Sequence, residues 1–328
     1  MRTTNRAFTY SSALADAIQG FMLEKQALGY KYEKTASNLK RFDDFCISIG
    51  HRSVCLPKEL VLQWTEKKSF ESESNHKGRV TLMRVLAKYL VRLGHDAYIY
   101  PECTGSASHE NYHPYLFSEI ELARFFTQVD QCLPSMSSPN RHIILPLLFR
   151  ILYGCGLRIS EAVQLRVRDV NTEEGTLTIL DAKFGKDRLV PMSGPLCSRC
   201  QTYRELMHRT SEPDYFFFPS PHGAHYKEST IYQYFRKFLW KAGISHGGRG
   251  KGPRLHDFRH TFAVNCLKRW VRAGVDLSAA LPYLSTYLGH TGLKNTQHYL
   301  RLTAELYPEI VATVDEKFGS LLPQEGRL

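Results

Sequence analysis

The stretch RLHDFRHT, residues 254–261, is the most informative segment of this chain for its fold. Its apolar residues continue at three- and four-residue steps, which predicts a helix with one core-facing stripe: Leu255, Phe258, Phe262 and Cys266. Beside this stripe, at the same spacing, the helix carries donor-rich side chains: His256, Arg259 and His260. A basic, glycine-rich run, HGGRGKGP (246–253), comes directly before them. Donors gathered at a helix start favour an anion as ligand.

The length and the charge of the chain indicate two domains that contact a polyanion. At 328 residues the chain is long for one domain, and its formal net charge is +11. Residues 1–100 carry 16 Lys and Arg against 10 Asp and Glu, and the remainder is also positive. Such a distribution suits nucleic acid gripped by both domains. Because no apolar run is long enough for a bilayer and no secretion signal is evident, a cytoplasmic protein is expected.

The pattern of apolar residues predicts a helical N-terminal domain and a mixed C-terminal one. Residues 1–100 predict about four short helices, of which three stop at a glycine (Gly29, Gly50 and Gly94), the first has Leu28 on its apolar face and the third has Pro57 in its first turn. Residues 101–113 are polar and aperiodic, which predicts a linker. Residues 114–328 combine helical patterns with GTLTILDAKFGKDRLVPM (175–192), which alternates like a β-hairpin. The expected fold is mainly α with a small antiparallel β-sheet.

Basic side chains decorate the predicted outer sides of the N-terminal helices. They are either solvated charges on a small bundle or contacts to a phosphate backbone, and this segment alone supports both interpretations equally. As candidate DNA-binding residues we take Lys31, Lys34, Lys40, Arg41, Lys77, Arg79 and Arg84, with Lys88 beside them.

Four short segments of the C-terminal domain carry polar residues that core packing does not explain. They are GCGLRISE (154–161), the hairpin, the opening stretch, and YLGHTGLKNTQHYLR (287–301). Each polar residue alone has an ordinary explanation, such as a weak surface ion pair or a packed tyrosine. The set comprises Arg158, Glu161, Lys183, His256, Arg259, His290 and Tyr299.

In order and spacing, this set resembles the catalytic domain of the tyrosine recombinases, the phage-integrase family. That family carries an Arg in a GLR-[IV]-S-E box, a hairpin Lys, an H-x-x-R box, a His in an LGH box and a Tyr about nine residues later. The matching residues here are Arg158, Lys183, His256, Arg259, His290 and Tyr299. The resemblance spans about 114–310 and implies that the N-terminal helices form a SAM-like core-binding domain. Cys155 departs from the family, which often has Thr there, and the sequence around Tyr299 is only loosely typical.

The resemblance implies a site-specific recombinase that cuts and rejoins DNA through a 3′-phosphotyrosine intermediate and a Holliday junction, in the service of a mobile element. Tyr299 would be the nucleophile. Arg158 and Arg259 would bind the non-bridging phosphate oxygens and favour the phenolate. His256 and His290 would add hydrogen bonds, with His256 as the base.

The remaining site residues have supporting roles in this interpretation. Lys183 would protonate the departing 5′ oxygen. Glu161 would orient an active-site histidine or arginine, and His260 would either brace the site or pack within its helix. No metal, ATP or other cofactor is expected, because arginines supply the positive charge and the phosphotyrosine bond conserves the energy of the cut bond.

Recombination of two duplexes implies a homotetramer on DNA, or an assembly with partner recombinases. The C-terminal stretch RLTAELYPEIVATVDEKFGSLL (301–322) has an apolar face. In this family such a segment commonly docks on a neighbouring protomer, and the same is expected here.

Several other functions fit parts of this pattern. A type IB topoisomerase shares the residue types, and a chromosome-dimer resolvase belongs to the same family. A regulatory DNA-binding protein could use the fold without the reaction, although the presence of all six residues that match the family motifs argues against a decayed site. A zinc protein could use the CxxC of Cys197 and Cys200 with His256 and His260, but HDFRH lacks the glutamate of HExxH.

Overall fold

The computed structural model describes residues 8–30, 32–102, 114–180, 187–248, 252–290, 292, 296 and 299–300, with the side chains of residues 33 and 34 excepted. Contacts within the chain divide it into two compact units, Met1–Asn111 and Tyr112–Leu328. We call them the N-terminal unit and the C-terminal unit. Within the described residues, no helix has the length and apolarity that crossing a bilayer requires.

The N-terminal unit consists of four helices in its described part: α1 (Ala15–Ala27), α2 (Glu33–Ser48), α3 (Lys58–Thr65) and α4 (Glu73–Arg92). Their apolar faces form one core that includes Ile18, Phe21, Leu39, Phe42, Leu60 and Met83. Gly29, Gly50 and Gly94 follow three of these helices with φ angles of 83°, 68° and 86°. Glycine adopts this left-handed conformation without a steric penalty, which explains why the predicted helix ends are correct.

The C-terminal unit is mainly helical with a small sheet. Its first part contains α5 (Glu119–Asp130), α6 (Arg141–Gly154), α7 (Ile159–Gln164), a 3-10 turn (Val167–Asp169), β1 (Val170–Asn171), β2 (Thr176–Ile179) and β3 (Arg188–Pro191). Its second part contains α8 (Gly194–Met207), α9 (Glu228–Lys241), α10 (Asp257–Arg272) and α11 (Leu277–Leu288). The sheet is antiparallel in the order β1-β2-β3, and Ile179 pairs with Arg188 at the base of the predicted hairpin.

An aromatic core fixes the start of α10. Phe258 is fully buried, and its ring lies 5.2 Å from Phe125 of α5 and 5.4 Å from Phe235 of α9, measured between centroids. Burying one such ring contributes about 2–3 kcal/mol to folding. Of the predicted stripe, Leu255 is also buried, whereas Phe262 and Cys266 are partly buried. The first turn of α10 is therefore held in place, and with it His256 and Arg259.

Two local predictions differ from the structure. Pro57 is the residue before α3 and not its first-turn residue. Leu28 is 63% exposed instead of contributing to the apolar face of α1, because that helix ends at Ala27. Both differences concern helix ends, where the sequence pattern is least precise.

Candidate active site

Arg158 and Glu161 are held together at the start of α7. The Arg158 backbone N–H donates to Glu161 Oε2 (2.9 Å), and its Nη1 donates to Glu161 Oε1 (2.7 Å). A glutamate three residues into a helix commonly binds the backbone N–H of the capping residue in this way. The Glu161 side chain is 5% exposed and that of Arg158 22%. This is consequently no solvated surface pair, and Arg158 is the partner that keeps access to solvent.

Arg259 is almost completely buried, at 1% exposure. Its Nη1 donates to the Gly156 carbonyl (2.8 Å), and its Nη2 donates to the Leu288 carbonyl. Burial, together with the nearby Arg158 cation, lowers the pKa of Arg259 to about 10. The guanidinium still carries its charge near neutral pH, so two arginine cations lie close together here.

The histidines stand at the ends of two helices. His256 directly precedes α10, and its ring lies 4.8 Å from that of His260. His290 follows α11, and its Nδ1 lies 2.8 Å from Thr296 Oγ1. Partial burial, with the Arg259 cation next in importance, lowers the pKa of His290 to about 3.

His256 shows the same direction of shift. Its contacts with surrounding protein atoms, followed by the Arg259 cation, lower its pKa, although the residue keeps solvent access. Both His256 and His290 are therefore neutral at pH 7, and a neutral imidazole can accept a proton.

Tyr299 lies at the centre of this group. Its side chain is 3% exposed and packs beside Leu288 and other apolar residues of α10 and α11. Its ring centroid is 5.5 Å from that of His260 and 5.9 Å from that of His290. The Arg259 guanidinium lies beside the phenol.

The charge state of Tyr299 differs from the sequence-based expectation. Burial raises the pKa of Tyr299, and the opposing effects of Arg259 and Arg158 are smaller. The two arginines favour the phenolate, but burial outweighs their effect, so the phenol is protonated at neutral pH. Because the phenol keeps its proton, the attack on phosphorus would require a base.

Most of the predicted site residues come together in the C-terminal unit. The group contains Arg158, Glu161, His256, Arg259, His260, His290 and Tyr299. His260 touches both His256 and Tyr299 with its ring, so it belongs to the group. Lys183 lies outside the described residues. The roles assigned to these residues stay predictions.

Arg188 also belongs to this group, although it is not among the residues predicted from the sequence. Its Nη1 and Nη2 donate to the two oxygens of Glu161 (3.1 and 2.8 Å). The signal was present in β3, where Arg188 and Val190 alternate with exposed residues and share the buried face. Residues two apart on a strand face the same side of the sheet, so Arg188 lies on the buried side together with Val190.

No metal-binding cluster of three or more His, Cys, Asp or Glu side chains occurs among the described residues. The CxxC cysteines make other contacts: Cys197 Sγ donates to the Thr172 carbonyl (3.1 Å), and Cys200 lies buried beside Met192. These contacts give the zinc interpretation no support.

The prediction that Arg79 faces outward from the N-terminal unit is wrong. Arg79 is 8% exposed. Its guanidinium donates to the Glu71 carboxylate and to the Trp64 and Glu66 carbonyls. These acceptors at the end of α3 satisfy the cation inside the unit, so Arg79 is not available to a phosphate backbone.

Two more of the candidate DNA-binding cations are engaged within the unit. Lys40 forms an ion pair with Asp43 (3.0 Å), and Arg84 donates to the Tyr100 carbonyl (2.9 Å). Both keep partial exposure. An arriving phosphate would have to compete with these partners or share the cation with them.

The remaining cations keep more solvent access where they are described. Arg41 and Lys88 are exposed, and Lys77 is half-buried. Outside the description lie Lys31 and the side chain of Lys34. Contact of these residues with DNA stays a prediction.

Comparison with known proteins identifies the family. The model of the phage integrase family matches residues 126–305. The protein y4rB of Sinorhizobium fredii, named as an integrase/recombinase, is 30% identical over 94% of this chain and 98% of its own length. The tyrosine recombinase XerA of Pyrococcus furiosus is 35% identical over 50% of this chain and 52% of its own. This chain belongs to the phage integrase family, the tyrosine recombinases, a class of DNA strand-exchange enzymes.

Solved structures show the same fold. The post-cleavage complex of the XerH site-specific recombinase with a palindromic difH substrate covers 86% of this chain and 78% of its own, with a TM-score of 0.59 at 22% identity. The match to the Tn1549 transposon integrase in complex with transposon right end DNA covers 90% of this chain and 99% of that one, with a TM-score of 0.60 at 16% identity. The predicted fold, mainly α with a small antiparallel sheet, is confirmed.

Proposed function

We propose that this protein is a site-specific DNA recombinase that forms a 3′-phosphotyrosine intermediate at Tyr299. The observation that carries the proposal is the environment of this phenol, which lies beside the Arg259 guanidinium and the rings of His260 and His290. XerH and the Tn1549 integrase have been solved with DNA substrates, which supports double-stranded DNA as the substrate of this chain.

In the first step, the Tyr299 oxygen attacks phosphorus and the bond from phosphorus to the 5′ oxygen breaks. We assign the phenol proton to His256, whose imidazole is neutral at pH 7. The 5′ oxygen takes a proton from Lys183 and leaves as a hydroxyl. Because burial keeps Tyr299 protonated, this base is an essential part of the proposed reaction.

Arg158 and Arg259 stabilise the transition state in this proposal. Extra negative charge develops on the two non-bridging oxygens, and planar guanidinium groups bind such oxygens with defined geometry. In the second step, a 5′ hydroxyl of another strand attacks the phosphotyrosine and releases Tyr299. The proposal assigns no role to a metal or a cofactor, since the arginines supply the charge and the phosphotyrosine conserves the bond energy.

Tyr299 packs within the unit that also carries the two arginines, which supports cleavage by a protomer that uses its own tyrosine. Exchange between two duplexes requires four cuts, so the proposed active assembly is a homotetramer on paired sites, or a mixed assembly with a partner recombinase. We place the protein in the service of a mobile element, which is supported by its full-length likeness to an integrase/recombinase.

The decisive experiment compares the wild type with Tyr299→Phe on a nicked suicide duplex. The duplex carries the inverted repeats that flank the gene of this protein, and the covalent protein–DNA adduct is measured by denaturing electrophoresis. Tyr299→Phe is expected to abolish the adduct while leaving DNA affinity nearly unchanged. Tyr283→Phe is the matched control, because Tyr283 is 76% exposed on α11, and it should form adduct normally. An adduct from Tyr299→Phe would refute the assignment of the nucleophile.

The same preparation separates recombination from its nearest alternative. On two paired sites, a recombinase accumulates Holliday junctions, whereas a type IB topoisomerase relaxes supercoiled plasmid as a monomer. Relaxation without junctions would favour the topoisomerase. Junctions that form only on sites from the chromosome terminus would favour a chromosome-dimer resolvase over a mobile-element integrase.

A further inference from the structure

Arg188 connects the sheet to the arginine group although it is itself closed to solvent. It is the first residue of β3, and its side chain is 5% exposed. Both terminal nitrogens donate to Glu161, while Nε donates to the Tyr287 carbonyl (2.9 Å). All three guanidinium nitrogens of Arg188 donate to protein acceptors, so we expect no contact between Arg188 and a DNA phosphate. Any effect it has on the reaction must pass through the groups that it holds.

Three arginines bind three consecutive carbonyls at the end of α11. Arg188 donates to Tyr287, Arg259 to Leu288 and Arg158 to Gly289. The last carbonyls of a helix have no partner within the helix and carry partial negative charge, so cations bind there favourably. The turn that precedes His290 is therefore tied to all three guanidinium groups.

The Arg188 guanidinium also fills the space beside the Cα atom of Gly289. Gly289 has a φ angle of 66°, and a Cβ atom there would lie 2.8 Å from Arg188 Nη1 and 2.9 Å from its Cζ. A side chain at this position would force the guanidinium away from its partners. The absence of a side chain at Gly289 therefore leaves the space that the Arg188 guanidinium occupies.

Glu161 transmits the position of Arg188 to Arg158. The carboxylate accepts hydrogen bonds from both arginines, so residues from two separate segments of the chain hold its two oxygens in place. Although burial raises the pKa of Glu161, the hydrogen bonds from Arg188 and Arg158 outweigh this effect and hold the pKa below its usual value. The carboxylate is thus charged at pH 7 and available to orient the more exposed Arg158.

We propose that Arg188 is a positioning residue for DNA cleavage, acting through Glu161 on Arg158 and through the Tyr287 carbonyl on the turn that carries His290. This inference rests on the proposed function, because it assigns to Arg158 the binding of the scissile phosphate. It extends that function by one residue that never contacts the substrate. The fork geometry is the essential property, since two parallel hydrogen bonds to Glu161 and a third to the backbone require a guanidinium.

The experiment measures the single-turnover rate of adduct formation at saturating nicked suicide duplex, together with DNA affinity and thermal stability. Arg188→Met is expected to reduce the rate by about a hundredfold, the cost of displacing a reacting group by about 1 Å. Arg188→Lys keeps the charge without the fork and should also lose rate, by a smaller factor. DNA affinity should change little in both variants.

Arg150→Met is the matched control for loss of an ion pair in the same unit. Arg150 donates to both oxygens of Asp130, each at 2.7 Å, and its side chain is 17% exposed. It should lower thermal stability without lowering the rate per bound complex. If Arg150→Met and Arg188→Met lose rate to the same degree, Arg188 has no specific positioning role and the inference is overturned.

Two further readouts respond to positioning but not to general destabilisation. The first is Arg188→Met combined with Glu161→Gln, which should lose no more rate than the worse single variant, because both act on Arg158 along one path. The second is a substrate with a methyl group in place of one non-bridging oxygen of the scissile phosphate. On one of its two stereoisomers the penalty of Arg188→Met should shrink, since Arg158 then lacks its ligand.

The possible outcomes distinguish this inference from the proposed function. If the wild type forms no adduct, or Tyr299→Phe still forms it, the proposed function fails. If Tyr299→Phe abolishes the adduct while Arg188→Met keeps a rate within threefold of the wild type, only the positioning role fails. Fully additive losses in the double variant, or an unchanged penalty on both methylated stereoisomers, would likewise overturn it.

Discussion

Each unit contains a helix whose last carbonyls are bound by side chains from elsewhere in the same unit. In the N-terminal unit the helix is α3, and Arg79 donates to the Trp64 and Glu66 carbonyls while His76 Nε2 lies 2.8 Å from the Thr65 carbonyl. Arg79 also pairs with Glu71. In the C-terminal unit the helix is α11, and three arginines take its final carbonyls.

The two regions differ in charge balance and in access. At α3 one arginine meets one glutamate, and their side chains are 10% and 12% exposed. At α11, Arg158 and Arg188 share the single carboxylate of Glu161, and Arg259 adds a third cation beside them. Arg158 also remains 22% exposed. Arginines that bind the last carbonyls of a helix therefore have their charge balanced within the N-terminal unit. In the C-terminal unit the same arrangement leaves excess positive charge that an anion can reach.

The largest effect is expected when the guanidinium of Arg259, in the arginine group at α11, is replaced. Arg259→Lys should lower the rate of adduct formation by about 10²–10³-fold, the usual cost of losing one donor to a transition-state oxyanion. Lysine cannot reach two carbonyls and the Tyr299 phenol at once. The rate is measured in single-turnover experiments at saturating DNA. A rate within threefold of the wild type would mean that charge alone, without the fork, is sufficient there.

An intermediate effect is expected from replacing Arg79, which binds the end of α3 in the N-terminal unit. Arg79→Met should lower the free energy of unfolding by about 3 kcal/mol, because it leaves Glu71 largely buried without its partner. The cleavage rate at saturating DNA should not change. Urea denaturation measures the loss, and Arg41→Met, at an exposed cation of α2, should change stability by less than about 0.5 kcal/mol. If Arg79→Met instead weakened DNA binding with a smaller salt dependence, Arg79 would be a DNA contact after all.

The smallest effect is expected from replacing the glycine that follows a helix in each unit. Gly94 and Gly289 both follow a helix with positive φ, but a Cβ atom meets nothing within 4 Å at Gly94 and meets the Arg188 guanidinium at Gly289. Gly94→Ala should cost about 1 kcal/mol for its left-handed backbone alone. Gly289→Ala should cost more and should also slow cleavage. Equal losses of stability, with unchanged cleavage in both variants, would contradict the close fit of Arg188 to this turn.

Much of the fold could be predicted because it depends on local periodicity. The helix ends at Gly29, Gly50 and Gly94 follow from the one residue type that accepts a left-handed backbone freely. The alternation around 175–192 predicted the hairpin strands. Helix starts were less accurate, as at Pro57, because several residues near a helix start satisfy the same pattern.

The candidate site was predictable to the extent that its residues stand in motifs. Arg158, His256, Arg259, His290 and Tyr299 were named from their order and spacing, and the structure brings them together, whereas their roles stay predictions. The direction of the Tyr299 pKa was not predictable, since burial and nearby cations act in opposite directions. Only the packing around the phenol shows that burial has the larger effect.

The sequence by itself determined which side chains are present and which helices and strands carry them, since periodicity and turn residues act over a few neighbouring positions. The tertiary structure decided which cations are satisfied internally and which remain open. Arg79 and Arg158 are alike as residue types, and each has a glutamate nearby in sequence. Their difference arises from groups in other segments of each unit. The Gly289 carbonyl accepts from Arg158 and Arg188 binds the same glutamate, whereas the carbonyls at the end of α3 accept from Arg79. Such encounters depend on how the whole unit packs, and no short stretch of sequence specifies them.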